Sequence, residues 1–343
     1  MKVFAGDIGG TKTLLQIADV ASDHYQVIYE QRFDSQRYDD FLSMAQNFLA
    51  SAPHSAVAAI EDACVAVAGP VTSTKAGQHA QVTNLPWQIE ARSLAAALHL
   101  PRLLLINDFQ AIGYAVDALG SEDFVVLQAG QRQPRAPRII IGAGTGLGVA
   151  QMIWQAGRYH IIPSEGGHAD FSPADEMQMA LLRHMQGSLP PRREERQRRV
   201  PQCREPPHVS YDRILCGAGL IEIYKFLQTQ TSGTGSASAV AYEAAAISAA
   251  ASTDLVARAA LDLFVSIYGA QAGNLALFNL AYGGIYIAGG IAPKILPYLE
   301  AGGFIQAFAN KGRMAELMAA MPVSVITHAK VGVMGAARAA AGM

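Results

Sequence analysis

The chain has 343 residues with Lys+Arg 26 against Asp+Glu 28, a formal net charge of −2, and is 51% hydrophobic and 16% charged. This near-neutral balance carries no electrostatic footprint for nucleic acid or an anionic membrane, so a small-molecule partner is expected. The length exceeds what one core commonly supports, which sets two domains as the prior.

Cys64, Cys203 and Cys216 form no CxxC pair and leave an odd number, which argues against a disulfide framework or zinc cluster and for reduced thiols in a cytosol. At the N-terminus, MKVFAGDIGG meets Asp7 too soon for a signal-peptide apolar region. No apolar run approaches a membrane span in length, and a cytoplasmic protein is expected.

Lys2 to Val20 reads as strand, Gly-rich turn, strand. Gly9 and Gly10 permit tight-turn angles and let a ligand approach the backbone amides, Thr11 adds a hydroxyl, Lys12 a charge, and Asp7 closes the first strand. Converging N–H groups in such a turn suit phosphate; an ordinary hairpin is the alternative. Asp39 to Leu49 has apolar residues at helical spacing and is assigned to packing. Ala63 to Ala68 is a short buried strand ending at Gly69-Pro70. Thr72 to Gln81 is polar, and Val82 to Trp87 reads as an ordered loop before a helix near Glu90, with Asn84 either a turn residue or a substrate contact.

Leu103 to Phe109, LLLINDF, is a buried strand that ends abruptly in Asn107-Asp108 and gives way to a helical pattern. Open α/β sheets place their chemistry at such tips. Asp108 can take a proton from a bound hydroxyl and Asn107 can orient that substrate. The alternative is that Asp108 caps the following helix.

Arg138 to Ala150 repeats the strand, Gly-Thr turn, strand grammar. Aligning Thr145 with Thr11 pairs Gly144 with Gly10 and leaves Ile141 where the first copy has Asp7. Two phosphate-type hairpins about a domain apart suggest a duplicated architecture with nucleotide between the copies, and a metal-linked role for Asp7. Leu147 stands where GxGxxG requires its third glycine, and GxxxxGK[ST] is absent, so neither a Rossmann nor a Walker site is supported.

In Pro163 to Pro173, Glu165 and His168 flank paired glycines. Zinc ligation is one use of such a pair, but no second ligand pair stands nearby, and hydrogen bonds to a polyol are the better fit. Pro190 to Pro207, with six Arg, three Glu and five Pro, reads as a solvated loop or a partner-binding segment. A helix follows from near Gly219, Thr229 to Ser238 is a flexible connector, and Ala-rich helices run to about residue 280. At Gly284 to Lys294 a third strand meets Gly289-Gly290, where a flat base or ribose can lie against backbone. Pro293 suits the first turn of a helix. The last segment, VGVMGAARAA, is a small-residue helix able to return to the first domain.

Taken in order, DIGGTKT (Asp7 to Thr13), INDF (Ile106 to Phe109), GAGTGLGVA (Gly142 to Ala150), EGGH (Glu165 to His168) and IAGGIAP (Ile287 to Pro293) resemble the bacterial glucokinase family, a branch of the sugar-kinase, heat-shock chaperone and actin superfamily. The cysteine-rich zinc motif of the related repressor and sugar-kinase family does not follow His168.

The resemblance implies a two-domain α/β, actin-like ATPase (ribonuclease H-like) fold with a deep interdomain cleft. The small domain is expected at residues 1–117, completed by a C-terminal helix at 331–343, and the large domain at 118–330. It implies phosphorylation of glucose at its 6-hydroxyl by ATP with Mg2+, and a homodimer. Asp108 matches the base, and Asn107, Glu165 and His168 match groups on the other hydroxyls. Gly9, Gly10, Thr11, Gly144, Thr145 and Gly146 match the phosphate loops, Gly289 and Gly290 the adenosine motif, and Asp7 the acid near magnesium, reached through water. Asp212 stands where the family has a glutamate near the sugar's anomeric carbon, one methylene longer.

A kinase for fructose, mannose or an N-acetylated sugar is the neighbouring reading. A non-catalytic sugar-responsive regulator is disfavoured because a strand starting at Lys2 leaves no room upstream for a DNA-reading domain, and a chaperone-type nucleotidase because no peptide-binding domain is appended.

Overall fold

The computed structural model describes residues 1–22, 24–75, 77–188, 208–231 and 240–343. The N-terminal hairpin expected around Gly9-Gly10 is formed by β1 (Lys2–Ile8) and β2 (Lys12–Ala21), and β2 continues antiparallel into β3 (His24–Asp34). On the other side of β1 lies β4 (Asp62–Val67), parallel to it and buried along its whole length, as an apolar run without alternation requires.

The polar stretch after β4 forms a small antiparallel sheet of β5 (Val71–Thr74), β6 (Gly77–Gln81) and β7 (Gln88–Glu90), with the expected loop Val82 to Trp87 joining β6 to β7. Its strands are short and half exposed, so they carry no apolar period. It also finishes an edge. The side chain of Gln78 donates to Leu105 O and accepts from Leu105 N–H, both at 3.0 Å, standing in for a neighbouring strand beside β8 (Leu104–Asn107). With β8 parallel to β4, the first sheet runs β3-β2-β1-β4-β8.

A second sheet repeats this plan. β9 (Phe124–Gln128) pairs antiparallel at its far edge. A meander of β10 (Arg138–Ala143), β11 (Leu147–Gln155) and β12 (Arg158–Ser164) adjoins the parallel β13 (Gly284–Ala288) and β14 (Val323–Ile326), giving β12-β11-β10-β13-β14-β9. The duplicated grammar of the two Gly-Thr turns therefore reflects duplicated topology. The turns differ in length, however. Ile8 pairs with Thr13 across Gly9 to Lys12, whereas Ala143 pairs with Leu147 across only Gly144 to Gly146. A constant offset between the copies cannot hold on both sides of the turn, so the facing of Asp7 by Ile141 is one of two registers.

Between the sheets lie two helices. The helix Asp108–Ala115 buries Phe109 and Ile112 against Ile140, Met152 and Ile161 of the second sheet. The C-terminal helix Val331–Ala340 buries Val333, Ala336 and Ala337 against Val3, Ala5 and Ala66 of the first. They cross so closely that a Cβ on Gly335 would lie 1.7 Å from Ala111 O. Small residues at this crossing bring the two sheets to a common seam, and the tip of β8 opens onto it.

The helix Leu255–Asn279 corrects one expectation. At 25 residues it is long and apolar enough, by length and composition, to cross a membrane. It is a core helix of the second sheet, with Leu261, Phe264, Ile267 and Tyr268 fully buried there. Gln271 and Asn274 interrupt its apolar run, which is why no span stands out in the sequence. The Arg- and Pro-rich stretch 190–207 and most of the connector 229–238 lie outside the described residues; Thr229 to Thr231 end the helix Gly217–Thr231.

Candidate active site

β8 delivers Asn107 and Asp108 to the seam because its apolar residues Leu105 and Ile106 are buried and the helix starts immediately after them. The cap of that helix is Asn107. Its Oδ1 accepts from the N–H groups of Phe109 at 2.9 Å and Gln110 at 3.4 Å, and its Nδ2 donates to Gly69 O at 3.2 Å. One amide proton of Asn107 is left for a ligand. Asp108 is therefore the first helical residue and not the cap, and its Oδ1 accepts from its neighbour's N–H, that of Phe109, at 3.0 Å.

Asp7, at the end of β1, is the second carboxylate here. Burial pushes it up to about 6 from its ordinary 3.8. Asp108 is pushed up to about 7, chiefly by burial, then by the charge of Asp7, with a smaller push from Glu165. The asymmetry has a simple origin: Asp7 ionises first without an anion beside it, and Asp108 must ionise against it. Asp7 leans on the first turn of the C-terminal helix, where a Cβ on Gly332 would come within 2.4 Å of its Oδ2. No sequence pattern announces that contact, which spans the chain.

Gly9 N–H closes the first turn onto Lys12 O at 3.0 Å. Buried Ser35 braces it, its Oγ donating to Gly9 O at 2.9 Å and its N–H to Thr11 O at 3.0 Å. Asn84, in the left-handed region at φ 65°, packs its Cβ against Gly10. Thr11 and Thr145 are both exposed at their turns.

In the second turn Gly144 N–H donates to Gly146 O at 2.8 Å, and Gly217 N–H, opening the helix Gly217–Thr231, donates to Gly144 O at 3.1 Å. The helix thus begins two residues earlier than Gly219, the position its apolar spacing suggests, and delivers its N-terminus to the turn. Gly289, at φ 82°, folds over the end of β10, where a Cβ would lie 2.5 Å from Ala143 O; Ile291 N–H closes onto that same carbonyl at 3.2 Å. Gly144 to Gly146, Gly217 and Gly289-Gly290 therefore line one side of the seam, and Gly9 to Thr11 belongs to the other sheet.

Glu165 and His168, at the 3-10 turn Gly166–His168, converge with Asp212, in the short helix Tyr211–Ile214. His168 Nε2 is 3.7 Å from Glu165 Oε2 and its Nδ1 is 3.7 Å from Asp212 Oδ2. The side chains of Glu165 and His168 are open to solvent, whereas that of Asp212 is only 13% exposed. Asp212 Oδ1 accepts from Leu147 N–H at 2.8 Å. Asn107 and Glu165 also border a cavity of about 440 Å³ lined by Gln78, Gln110, Tyr114 and Ser164. Among the described residues no cluster of three or more His, Cys, Asp or Glu is arranged to hold a metal ion by itself. The arrangement offers two amide-rich turns, a carboxylate poised near neutrality, and neutral and acidic groups that suit a polyol.

A family model described as Glucokinase matches residues 4–343. A glucokinase of Nostoc sp. is 42% identical over 99% of this chain and 98% of its own length, and one of Trichormus variabilis is 41% identical with the same coverage. The crystal structure of a glucokinase from an Antarctic psychrotroph superposes with a TM-score of 0.79 at 29% identity, covering 100% of this chain and 99% of the other. The likeness extends over both sheets and the seam between them, and the fold is that of the two-domain actin-like ATPases. With a whole-length match in sequence and in architecture, the chain belongs to the glucokinase family.

Proposed function

We propose that this cleft phosphorylates glucose at its 6-hydroxyl with ATP, Asp108 acting as the general base. The observation that carries the assignment of the base is the tip of β8, where capping by Asn107 leaves the half-buried Asp108 carboxylate under the charge of a second half-buried acid and pushed up to about 7. A base of that strength is about half ionised at neutral pH and holds a proton well enough to accept one in the transition state.

The O6 oxygen attacks the γ-phosphorus, the bond to the β-phosphate oxygen breaks, and the O6 proton passes to Asp108. Gly9, Gly10 and Thr11 on one side and Gly144, Thr145 and Gly146 on the other present amides and hydroxyls to the phosphates. Gly289 and Gly290 form a flat floor for the adenosine. The spare amide proton of Asn107, with Glu165, His168 and Asp212, holds the remaining hydroxyls. Most of the acceleration comes from positioning and charge stabilisation.

Asp7 fits a magnesium ion bound through water. It is a half-buried, desolvated carboxylate facing the charge of a second acid, a combination relieved by a divalent cation that takes its other ligands from water and phosphate oxygens. The ion would neutralise charge on the transferring phosphoryl group. We further propose the division into a small domain of 1–117 plus 331–343 and a large domain of 118–330, which the two separate cores and the placement of the C-terminal helix support. Family membership supports a cytoplasmic, homodimeric enzyme at the entry to glycolysis.

The test is ADP release by purified protein with MgATP over glucose, fructose, mannose and N-acetylglucosamine, beside Asp108→Ala. Glucose-dependent release that falls at least a hundredfold in the variant is expected from the usual worth of a general base. A fall below about tenfold removes Asp108 from that role. A different preferred sugar reassigns the substrate.

A further inference from the structure

We propose that Asp212 is a positioning residue that couples the sugar side of the cleft to the Gly144–Gly146 turn, so that an occupied sugar site tightens the grip on the nucleotide. The inference rests on the reading of the cleft given above.

Three segments far apart in sequence form one packed unit around this side chain. Its Oδ1 accepts from Leu147 N–H at 2.8 Å, the first amide after the turn. Gly146 leaves room for it, since a Cβ there would sit 2.4 Å from that oxygen. The His168 turn leans on the same residue, because a Cβ on Gly167 would lie 2.0 Å from Leu147 O. Tyr211 N–H to Ala169 O at 3.0 Å and Phe171 N–H to Val209 O at 2.9 Å tie the Asp212 segment to the His168 segment. Any displacement of the His168 loop is therefore transmitted to the carboxylate, and from the carboxylate to the turn.

The ring of His168 is the movable part. It stands 3.7 Å from Asp212 Oδ2 on one side and 3.7 Å from Glu165 Oε2 on the other, outside hydrogen-bond range of both. A shift of about 0.8 Å brings one pair to the usual ~2.9 Å. A sugar hydroxyl engaging Nε2 fixes the ring, and Nδ1–H then donates to Asp212 Oδ2. The carboxylate is held on Leu147 N–H, and the turn's amides stay aimed at the phosphates. By linkage, nucleotide binding strengthens sugar binding by the same factor. A phosphate turn completed only when sugar is present also limits transfer to water.

The experiment titrates a non-hydrolysable ATP analogue, with magnesium, into wild type, Asp212→Asn and Asp212→Ala by calorimetry, without glucose and at saturating glucose. Saturation separates coupling from a direct sugar contact, whose loss weakens glucose binding but leaves the ratio of the two analogue affinities intact. Wild type is expected to bind the analogue at least about fivefold more tightly with glucose, at the lower end of ordinary coupling. Asp212→Asn keeps an acceptor for Leu147 N–H. It should bind the analogue alone within about threefold of wild type and show a glucose effect below about twofold. Asp212→Ala leaves that N–H without its partner and should lose about tenfold in analogue affinity as well.

An Asn variant with wild-type coupling overturns the proposal. So does wild type that turns over glucose with no coupling. If the Ala variant fails to fold, the Asn variant decides alone. Absence of glucose turnover in wild type is a separate result, seen in the ADP assay, and it removes the underlying reading of the cleft.

Discussion

Replacing Asp108 by Asn should stabilise the ligand-free protein at neutral and alkaline pH while abolishing turnover. The side chain keeps its shape and its acceptor for Phe109 N–H and loses only the charge. In the folded protein the carboxyl is raised from 3.8 to about 7, with burial as the main cause and Asp7 next. A folded-state pKa above the unfolded value contributes stability that is complete below the unfolded pKa and disappears as pH rises through the folded one. Linkage over that window gives wild type a loss of about 2.6 kcal/mol between about pH 5 and about pH 8, an order-of-magnitude figure, that the Asn variant escapes. For a cooperative unit of this size the unfolding entropy is about 0.7 kcal/mol/K, so the melting-temperature advantage of the variant should widen by about 4 °C across that interval. The shift is larger if the unit that melts is smaller. Paired scanning calorimetry of both proteins at the two pH values reads this directly, and the titration of histidines cancels in the difference. An advantage that is flat or shrinks towards high pH would refute the desolvated, Asp7-opposed carboxylate. The same group should appear in the rate. In wild type kcat/KM is expected to fall about tenfold per pH unit on the acid side of about pH 7.

Asn107→Ala removes the acceptor for two helix N–H groups as well as the proposed sugar donor. It should lower stability by about 1 kcal/mol, the usual worth of an N-cap, and raise KM for glucose; an unchanged melting temperature would count against the cap. Gly335→Ala places a methyl 1.7 Å from Ala111 O at the crossing of the two central helices. Overpacking of this kind costs about 1–3 kcal/mol, and because the Asp108 helix is the neighbour that must move, turnover should fall with stability. A variant as active and as stable as wild type would mean that the crossing is loose.

The sequence by itself determined the parts whose physics is local. Two glycine-rich hairpins, a buried strand with a polar tip and a Gly-Gly turn after a third strand are written in neighbouring residues, because tight-turn angles and capping constrain a few consecutive positions. Five such motifs in order also sufficed to suggest the family and, with it, the fold. Even at β8, though, the division of labour was ambiguous. Asp and Asn both cap helices, and only the hydrogen bonds of Asn107 release Asp108 from that duty.

Tertiary structure decided what lies between distant segments. The sheet β5-β6-β7 is too short and too exposed to carry a period, and the amide of Gln78 completes β8 through a contact that no spacing encodes. Asp7 acts on Asp108 because β1 and β8, parallel on either side of β4, end together, and it finds room because Gly332, near the other end of the chain, has no Cβ. Asp212 reads locally as one acid before an arginine. Its attachment to Leu147, and its place beside His168, arise from the packing of three segments distant in the chain. Residue type and short spacing carry backbone geometry, whereas the burial and mutual repulsion that tune the acids depend on which surfaces close over them, and that is settled only when the two sheets meet.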